Sequence, residues 1–326
     1  KKIGIENSLA APHVFDLSKS LTPGSHRLTL RDVHRIKDFN VGQNSHSITD
    51  HTQTNWNGMV GKLYIAARPA LYIDDVRLYP DIQKKQVVAH LQINNISGKP
   101  MNANLELSAV SNNPKAEKLR KIKKSIEVKG DSMDIDIVYP MGNNPLLWDE
   151  FHPNLYSLKI SLEGNGNTDD KEVDFGMRDF STSGTQFTIN GHLTFLRGTL
   201  ECAAFPLTGY PPTDIELWMK IFKKCRSYGL NHIRFHSWCP PEAAFEAADR
   251  AGFYLQIECS SWANQGATIG DGNPLDQYIY DESERIVKAY GNHPSFCMMT
   301  YGNEPAGKNY VQYLTNFVDF WKKKDP

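Results

Sequence analysis

Glu304 stands in the short run Asn303-Glu304-Pro305, which Gly302 separates from the apolar stretch Phe296-Cys-Met-Met-Thr-Tyr301. A carboxyl group at the end of an apolar strand is anchored by the sheet and open at its tip, a position suited to giving and taking a proton. Other polar residues occupy similar places. Glu258 closes the run FYLQIE, with Trp262 four residues later. Arg234, His236 and Trp238 lie at and just beyond the end of HIRF, and Arg197 and Glu201 come at and after TFLRG. Carboxylates with Asn, His and Arg suit the hydroxyls of a sugar, and flat indole faces suit the apolar faces of its ring. Two carboxylates flanking one bond are what glycoside hydrolysis requires.

Each residue also has a plainer reading. Asn303-Glu304-Pro305 is compatible with a simple turn, because proline keeps its predecessor out of the helical region and Asn favours turns. Arg234 can serve as a structural ion-pair partner, and Glu258 can pair with Arg234 or Arg197 instead of touching a ligand. His236 is equally compatible with a hydrogen-bonded wall residue. Of Trp238 and Trp262, one is expected to be core or rim packing. The common location at strand ends, not any single residue, favours the functional reading.

The positioning elements are legible in the same stretch. Thr213-x-x-Glu216 reads as a capping box, followed by Ile215, Met219, Phe222 and Cys225 at helical spacing and a stop at Gly229. The strand HIRF (232–235) precedes a helix opened by Pro241 and Glu242 and stopped at Gly252. The strand FYLQIE (253–258) precedes a helix from about Pro274 to Gly291, and FCMMTY (296–301) precedes a helix over roughly 309–323. With TFLRG (194–198) as the first strand, these are four consecutive βα units. Repeated βα units imply a parallel sheet, and four of them make half of a (β/α)8 barrel, whose chemistry collects at the C-terminal strand ends.

Residues before about 180 read as all-β. Between residues 70 and 176 about seven short apolar or alternating runs recur at steady spacing, as in an immunoglobulin-like β-sandwich. HRLTL and KLYIAA, within residues 1–69, read as strands of an earlier β domain. The basic stretch Lys115 to Lys124 reads as a solvated strand or hairpin. The expected divisions are 1–69, 70–183 and 184–326, with the chain a fragment truncated at both ends.

At the fourth strand the sequence becomes recognisable. Tyr290-Gly-Asn-His-Pro-Ser-Phe-Cys-Met-Met-Thr-Tyr-Gly-Asn-Glu304 resembles the signature of glycoside hydrolase family 2. Ile189-Asn-Gly-His-Leu-Thr-Phe-Leu-Arg-Gly198 is similar to that family's lead into its barrel, and Phe175-Gly-Met-Arg178 to the closing strand of its sandwich. Trp148-Asp-Glu-Phe-His-Pro-Asn-Leu-Tyr156 resembles its Trp…Pro-Asn-Leu-Tyr loop, and Thr54-Asn-Trp-Asn-Gly-Met-Val-Gly61 the last hairpin of its jelly-roll domain. The resemblance implies a partial jelly-roll, an immunoglobulin-like sandwich and the first half of a TIM barrel. It implies exo-acting, retaining hydrolysis of terminal β-linked sugars, β-galactosides by default, with β-glucuronides or β-mannosides next. Glu304 would be the acid/base, and Asn303 would hydrogen-bond the sugar's 2-hydroxyl. The nucleophile, a glutamate of a later strand, has no counterpart in these residues, so this polypeptide alone is expected to be inactive. The sequence departs from the family in two places. Thr300-Tyr301 stands where many members carry Trp, and Arg234-Phe-His-Ser-Trp-Cys-Pro240 interchanges the usual Ser and His. Both point to a subgroup with its own sugar specificity.

The bulk numbers are consistent with this reading. A chain of 326 residues calls for two or three domains, and 40% hydrophobic residues suffice for sizeable cores. Thirty-six Lys and Arg against 37 Asp and Glu leave a net charge of −1, which argues against a nucleic-acid partner. No apolar run reaches the ~20 residues of a membrane span. The five cysteines form no CxxC pair, so a zinc site is not expected, and the implied double-displacement mechanism demands no metal or organic cofactor. No signal peptide opens the chain, and a periplasmic or extracellular setting stays open. The expected partner is an oligosaccharide or glycoside. The alternative is a non-catalytic carbohydrate-binding protein with a degenerate barrel.

Overall fold

The computed structural model describes residues 2–32, 40–49, 56 and 58–325. Seven antiparallel strands form a two-sheet sandwich: β1 (Leu71–Asp81), β2 (Gln86–Asn95), β3 (Met101–Ser111), β4 (Ile122–Val128), β5 (Ser132–Pro140), β6 (Tyr156–Gly164) and β7 (Asn167–Phe175). One sheet has the order β1-β2-β5 and the other β4-β3-β6-β7. The alternation in β2 and β3 turns Val87, Ala89, Leu91, Ile93, Leu105 and Leu107 into the shared core. Each such Val or Leu contributes about 1.5–3 kcal/mol by leaving water. The basic stretch leads into β4, an edge strand whose Lys123 pairs, with Lys121, to Glu106. Lysines on an exposed edge discourage pairing with another chain.

A short three-stranded sheet follows, of β8 (Phe180–Ser183), β9 (Gln186–Ile189) and β10 (His192–Thr194). The parallel sheet comes next, in sequential order: β11 (Gly198–Glu201), β12 (His232–Phe235), β13 (Tyr254–Glu258) and β14 (Phe296–Thr300). Its helices are α1 (Ile215–Ser227), α2 (Glu242–Ala251), α3 (Pro274–Tyr290) and α4 (Tyr310–Lys324). Ile233, Phe235, Leu255 and Ile257 are fully or almost fully buried in one core with Trp218, Phe222, Phe245 and Ile279 of the helices. Arg234 and Gln256, paired across β12 and β13, are only partly buried.

Three expectations are corrected. The first parallel strand is not TFLRG but Gly198–Glu201, because Thr194 is already paired in the β9–β10 hairpin and residues 195–197 connect the two. The N-cap of α1 is Asp214, whose carboxylate accepts from Leu217 N at 2.9 Å, so the box at Thr213 is displaced by one residue. HRLTL and KLYIAA are exposed and carry no strand pairing among the described residues. Apolar alternation alone does not make a strand when no ladder partner takes up its N–H and C=O groups. The expected hairpin at 54–61 lies partly outside the described residues.

The sandwich is tied to the parallel sheet by the motif Asn292-His293-Pro294-Ser295. Asn292 accepts from Leu78 N (2.8 Å) and donates to Val76 O (2.7 Å), stitching the end of α3 to β1. His293 Nδ1 meets Asp249 Oδ2 at 2.6 Å, while Ser295 N donates to Asp249 Oδ1 at 3.0 Å. The buried Trp148 of the sandwich loop donates Nε1–H to Asp249 O at 2.8 Å. No helix among the described residues is long and apolar enough to cross a membrane.

Candidate functional site

The C-terminal ends of β12, β13 and β14 bring four of the expected residues together. Glu258, the last residue of β13, is fully buried and accepts from Arg234 Nε (2.6 Å) and Ser237 N (2.6 Å). Arg234 Nη2 donates to Asn303 Oδ1 at 2.7 Å. The three side chains therefore form one connected group across three strands. Burial raises the Glu258 carboxyl above its ordinary pKa, against the opposing pull of Arg234.

Glu304 lies one residue beyond Asn303 and is exposed. Its Oε2 accepts from both Trp262 Nε1 (2.7 Å) and Asn264 Nδ2 (2.9 Å). These donors, Trp262 first, hold its carboxyl below the usual pKa, with smaller help from His236 and Arg234. The backbone turns tightly here. Gly302 has φ 147, and a Cβ there would stand 2.2 Å from Ser261 O. Asn303 N donates to that same Ser261 O at 2.9 Å. Glu304 itself has φ 42, and the other non-glycine residues with positive φ just past the ends of the parallel strands are Ala203 and Ser237. Backbone held in this region costs about 1–3 kcal/mol per residue and clusters at functional sites.

The remaining expected residues divide. Trp262 is partly exposed beside Glu304, and its ring lies 4.5 Å from that of His236. Trp238 is only 2% exposed, set among Phe205, Phe235 and Trp56 as core packing, so it is not brought to the open face. Arg197, expected past the first strand, precedes it. It sits at the opposite end of the sheet, paired with Glu150 at 2.8 Å. Glu201 ends β11 and accepts from Ala203 N and Ala204 N, bracing its own loop.

Residues 40–47 reach the same place from the N-terminal part of the chain, a contribution the motifs did not reveal. Val41 O accepts from Trp262 N (2.7 Å), and His46 N donates to Ser237 Oγ (3.0 Å). Gly42 has φ 98, and a Cβ there would meet Trp262 O at 2.0 Å. The His46 ring lies 4.9 Å from that of His236, and burial, with the second imidazole beside it, lowers its pKa to about 4. Burial also lowers His236, followed by the charge of Arg234. His46 Nδ1, His236 Nδ1, Ser261 Oγ and Asn303 Nδ2 are buried without a hydrogen-bond partner. Because Asn303 Oδ1 is committed to Arg234, its Nδ2 is assigned as a free donor by that network. The only sequence signal for this segment is its run of amides, serines and a glycine, Asn40-Val-Gly-Gln-Asn-Ser-His-Ser47. Among the described residues no cluster of three or more His, Cys, Asp or Glu could hold a metal ion.

Comparison with known proteins bears on the family and the fold. The family model described as "Glycosyl hydrolases family 2" matches residues 71–178, and "Glycosyl hydrolases family 2, TIM barrel domain" matches 180–326. A putative beta-glucuronidase of Formosa agariphila is 24% identical over 76% of this chain and 29% of its own length. A beta-galactosidase of Staphylococcus xylosus is 24% identical over 95% of this chain and 30% of its own length. The chain thus spans about 30% of the length of these relatives. Among solved structures, Bacteroides uniformis beta-glucuronidase 3 superposes with a TM-score of 0.64 at 20% identity, covering 87% of this chain and 36% of that one. A GH2 beta-galacturonidase from Eisenbergiella tayi does so with a TM-score of 0.63 at 18% identity, covering 79% and 45%. At these identities the structures bear on the fold alone. With both family models matched in order along most of its length, the chain belongs to glycoside hydrolase family 2.

Proposed function

We propose that this chain carries the acid/base half of a retaining, exo-acting β-glycosidase, with Glu304 as the proton donor and later the base. The four βα units are then the first half of a (β/α)8 barrel, and residues 1–69 belong to a jelly-roll domain ahead of the sandwich at 70–183. The observation that carries the reading is the pairing of Glu304 with an adjacent Asn303 whose Nδ2 is unpartnered, beside Arg234 and Glu258. That free N–H is suited to a sugar 2-hydroxyl. His236 and the face of Trp262 are suited to the ring's remaining hydroxyls and its apolar side.

The state of Glu304 matches one half of a double displacement. Trp262 and Asn264 favour its ionised form, which is the form that activates water. The first half needs the protonated form. An attacking carboxylate about 5–5.5 Å away supplies that bias, since two such groups do not both ionise readily. Once the sugar is bound covalently, that charge is gone, and Glu304 returns to the ionised state its own neighbours favour. By family resemblance the attacking carboxylate belongs to a later strand. Beta-galactosidase is the name of most of the similar curated relatives and beta-glucuronidase that of one, which favours a terminal β-galactoside first and a β-glucuronide second.

Glu304→Ala in the full-length protein tests this. Turnover of substrates with poor leaving groups should fall most, because they need the proton. Aryl glycosides with acidic phenols should form the intermediate and then stall, and added azide should restart turnover and give a β-glycosyl azide. Proton NMR of the first-formed sugar should show retention. Equal loss across all leaving groups without an azide product would reduce Glu304 to a binding residue, whereas no turnover in the unmodified full-length protein would favour the non-catalytic sugar-binding alternative.

A further inference from the structure

We propose that the side-chain amides of Asn44, Gln265 and Asn264 form a relay that transmits the docking of residues 40–47 to Glu304 and sets the orientation of its carboxylate. The catalytic consequence rests on the reading of Glu304 given above. The geometry of the relay does not.

Three hydrogen bonds run in one direction. Asn44 Nδ2 donates to Gln265 Oε1 at 2.6 Å, Gln265 Nε2 donates to Asn264 Oδ1 at 2.9 Å, and Asn264 Nδ2 donates to Glu304 Oε2 at 2.9 Å. An amide has a donor end and an acceptor end, so fixing the first amide fixes the next. Asn44 commits the oxygen of Gln265, which turns the Gln265 nitrogen toward Asn264. That commits the oxygen of Asn264 and leaves its nitrogen for Glu304. Without Asn44 or Gln265, the Asn264 amide is free to rotate, and its oxygen facing a carboxylate would be repulsive.

The backbone of the same segment holds the loop that carries the relay. Gln43 N donates to Gln265 O (2.8 Å), Asn40 Nδ2 to Gly266 O (2.7 Å) and Trp262 N to Val41 O (2.7 Å). Those contacts would suffice to fasten a loop. The side-chain relay adds a polarity that ends on one oxygen of Glu304. Trp262 Nε1 addresses the same Oε2, so the two donors fix the carboxylate plane and leave Oε1 as the oxygen they do not engage. Asn264 is the second of the groups that lower the Glu304 carboxyl, after Trp262. The other titratable or charged groups acting on it are His236 and Arg234. Asn44 and Gln265 touch no reacting atom in this scheme. They are positioning residues.

The test follows the titration of Glu304 in the 326-residue chain by NMR of carbon-13-labelled glutamate carboxyls, with the resonance assigned by Glu304→Gln. Gln265→Met and Asn44→Ala should each raise the midpoint by on the order of half a pH unit, as Asn264→Ala should. The double variant Gln265→Met/Asn264→Ala should shift no further than Asn264→Ala alone, because one path carries both effects. Both relay positions are partly exposed, so at least one variant is expected to fold, with near-ultraviolet circular dichroism as the check. An unmoved midpoint in a folded Gln265→Met or Asn44→Ala variant, or additive shifts in the double variant, would overturn the relay. In the full-length protein the alkaline limb of kcat/KM should move up with the NMR midpoint, with KM held within about twofold. A midpoint that moves while the limb stays supports the relay and removes Glu304 as the proton donor. The failure of the relay and the failure of the catalytic reading are therefore told apart.

Discussion

Arg234 Nε donates to Glu258 Oε1 across 2.6 Å, joining the second and third parallel strands at their C-terminal ends. The Glu258 side chain is 1% exposed and that of Arg234 33%, so the carboxylate depends on this partner far more than the guanidinium does. Arg234→Ala should destabilise the chain by roughly 2–4 kcal/mol, toward the lower end because water reaches the arginine side. Arg234→Lys should recover part of that stability and still fail at the site, since one ammonium does not reproduce the fork that serves Glu258 and Asn303 together. Urea denaturation reads the first effect and kcat/KM the second. A loss of less than about 0.5 kcal/mol in the alanine variant would show that the pair holds nothing together.

Gly302→Ala should act on the site more than on the fold. The new Cβ would overlap Ser261 O, against which Asn303 N is also hydrogen-bonded. Relief requires Asn303 and Glu304 to move, and a displacement of about 1 Å costs on the order of 100-fold in rate. Steady-state kinetics beside a thermal melt separate the two effects. Full activity in a well-folded variant would mean that the backbone here tolerates change, and that the tight approach is not what holds Glu304.

The contribution of the buried histidines to stability should peak near the ordinary histidine pKa and fall on both sides. Burial lowers His232 and His46 to about 4, so between about 4 and 6.5 the unfolded chain binds more protons than the folded one. Stability from these groups is complete above 6.5 and is lost as pH falls, by about 1.4 kcal/mol per group for each pH unit separating its folded and unfolded pKa. His293 has the opposite sign. Burial alone would lower it, but the charge and hydrogen bond of Asp249 outweigh that and raise it. Its contribution is full below 6.5 and is lost as pH rises through the raised value. Thermal melts across pH check both slopes. His232→Gln should flatten the acid side and His293→Gln the alkaline side. Slopes unchanged by these variants would assign the dependence to other groups.

Much of the frame was legible because it is local. HIRF, FYLQIE and FCMMTY announced themselves as strands by apolar runs between helix stops, and the structure has strands at His232–Phe235, Tyr254–Glu258 and Phe296–Thr300. Glu304 and Glu258 were readable as strand-end carboxylates for the same reason. Errors arose where two patterns competed for one stretch. TFLRG has strand composition, but the Asn190-Gly191 turn, with φ 53 and 79, had already committed Thr194 to a hairpin. The strand therefore began four residues later, and Arg197 fell at the opposite end of the sheet.

The sequence by itself determined the order of the elements, the parallel character of the second sheet and the strand ends at which polar residues collect, because hydrophobic periodicity and helix stops act between neighbours. Only the tertiary structure decided which of those residues share a site. Trp238 and Trp262 look alike in sequence, yet the first is enclosed by Phe205 and Phe235 and the second lies beside Glu304. The signature Asn292-His293-Pro294-Ser295 proved to be an anchor to β1 and α2. Asn44 and Gln265 stand 221 positions apart, and nothing periodic links them. A hydrogen bond across such a separation depends on where two backbones come to rest, and that is decided by the packing of the whole chain.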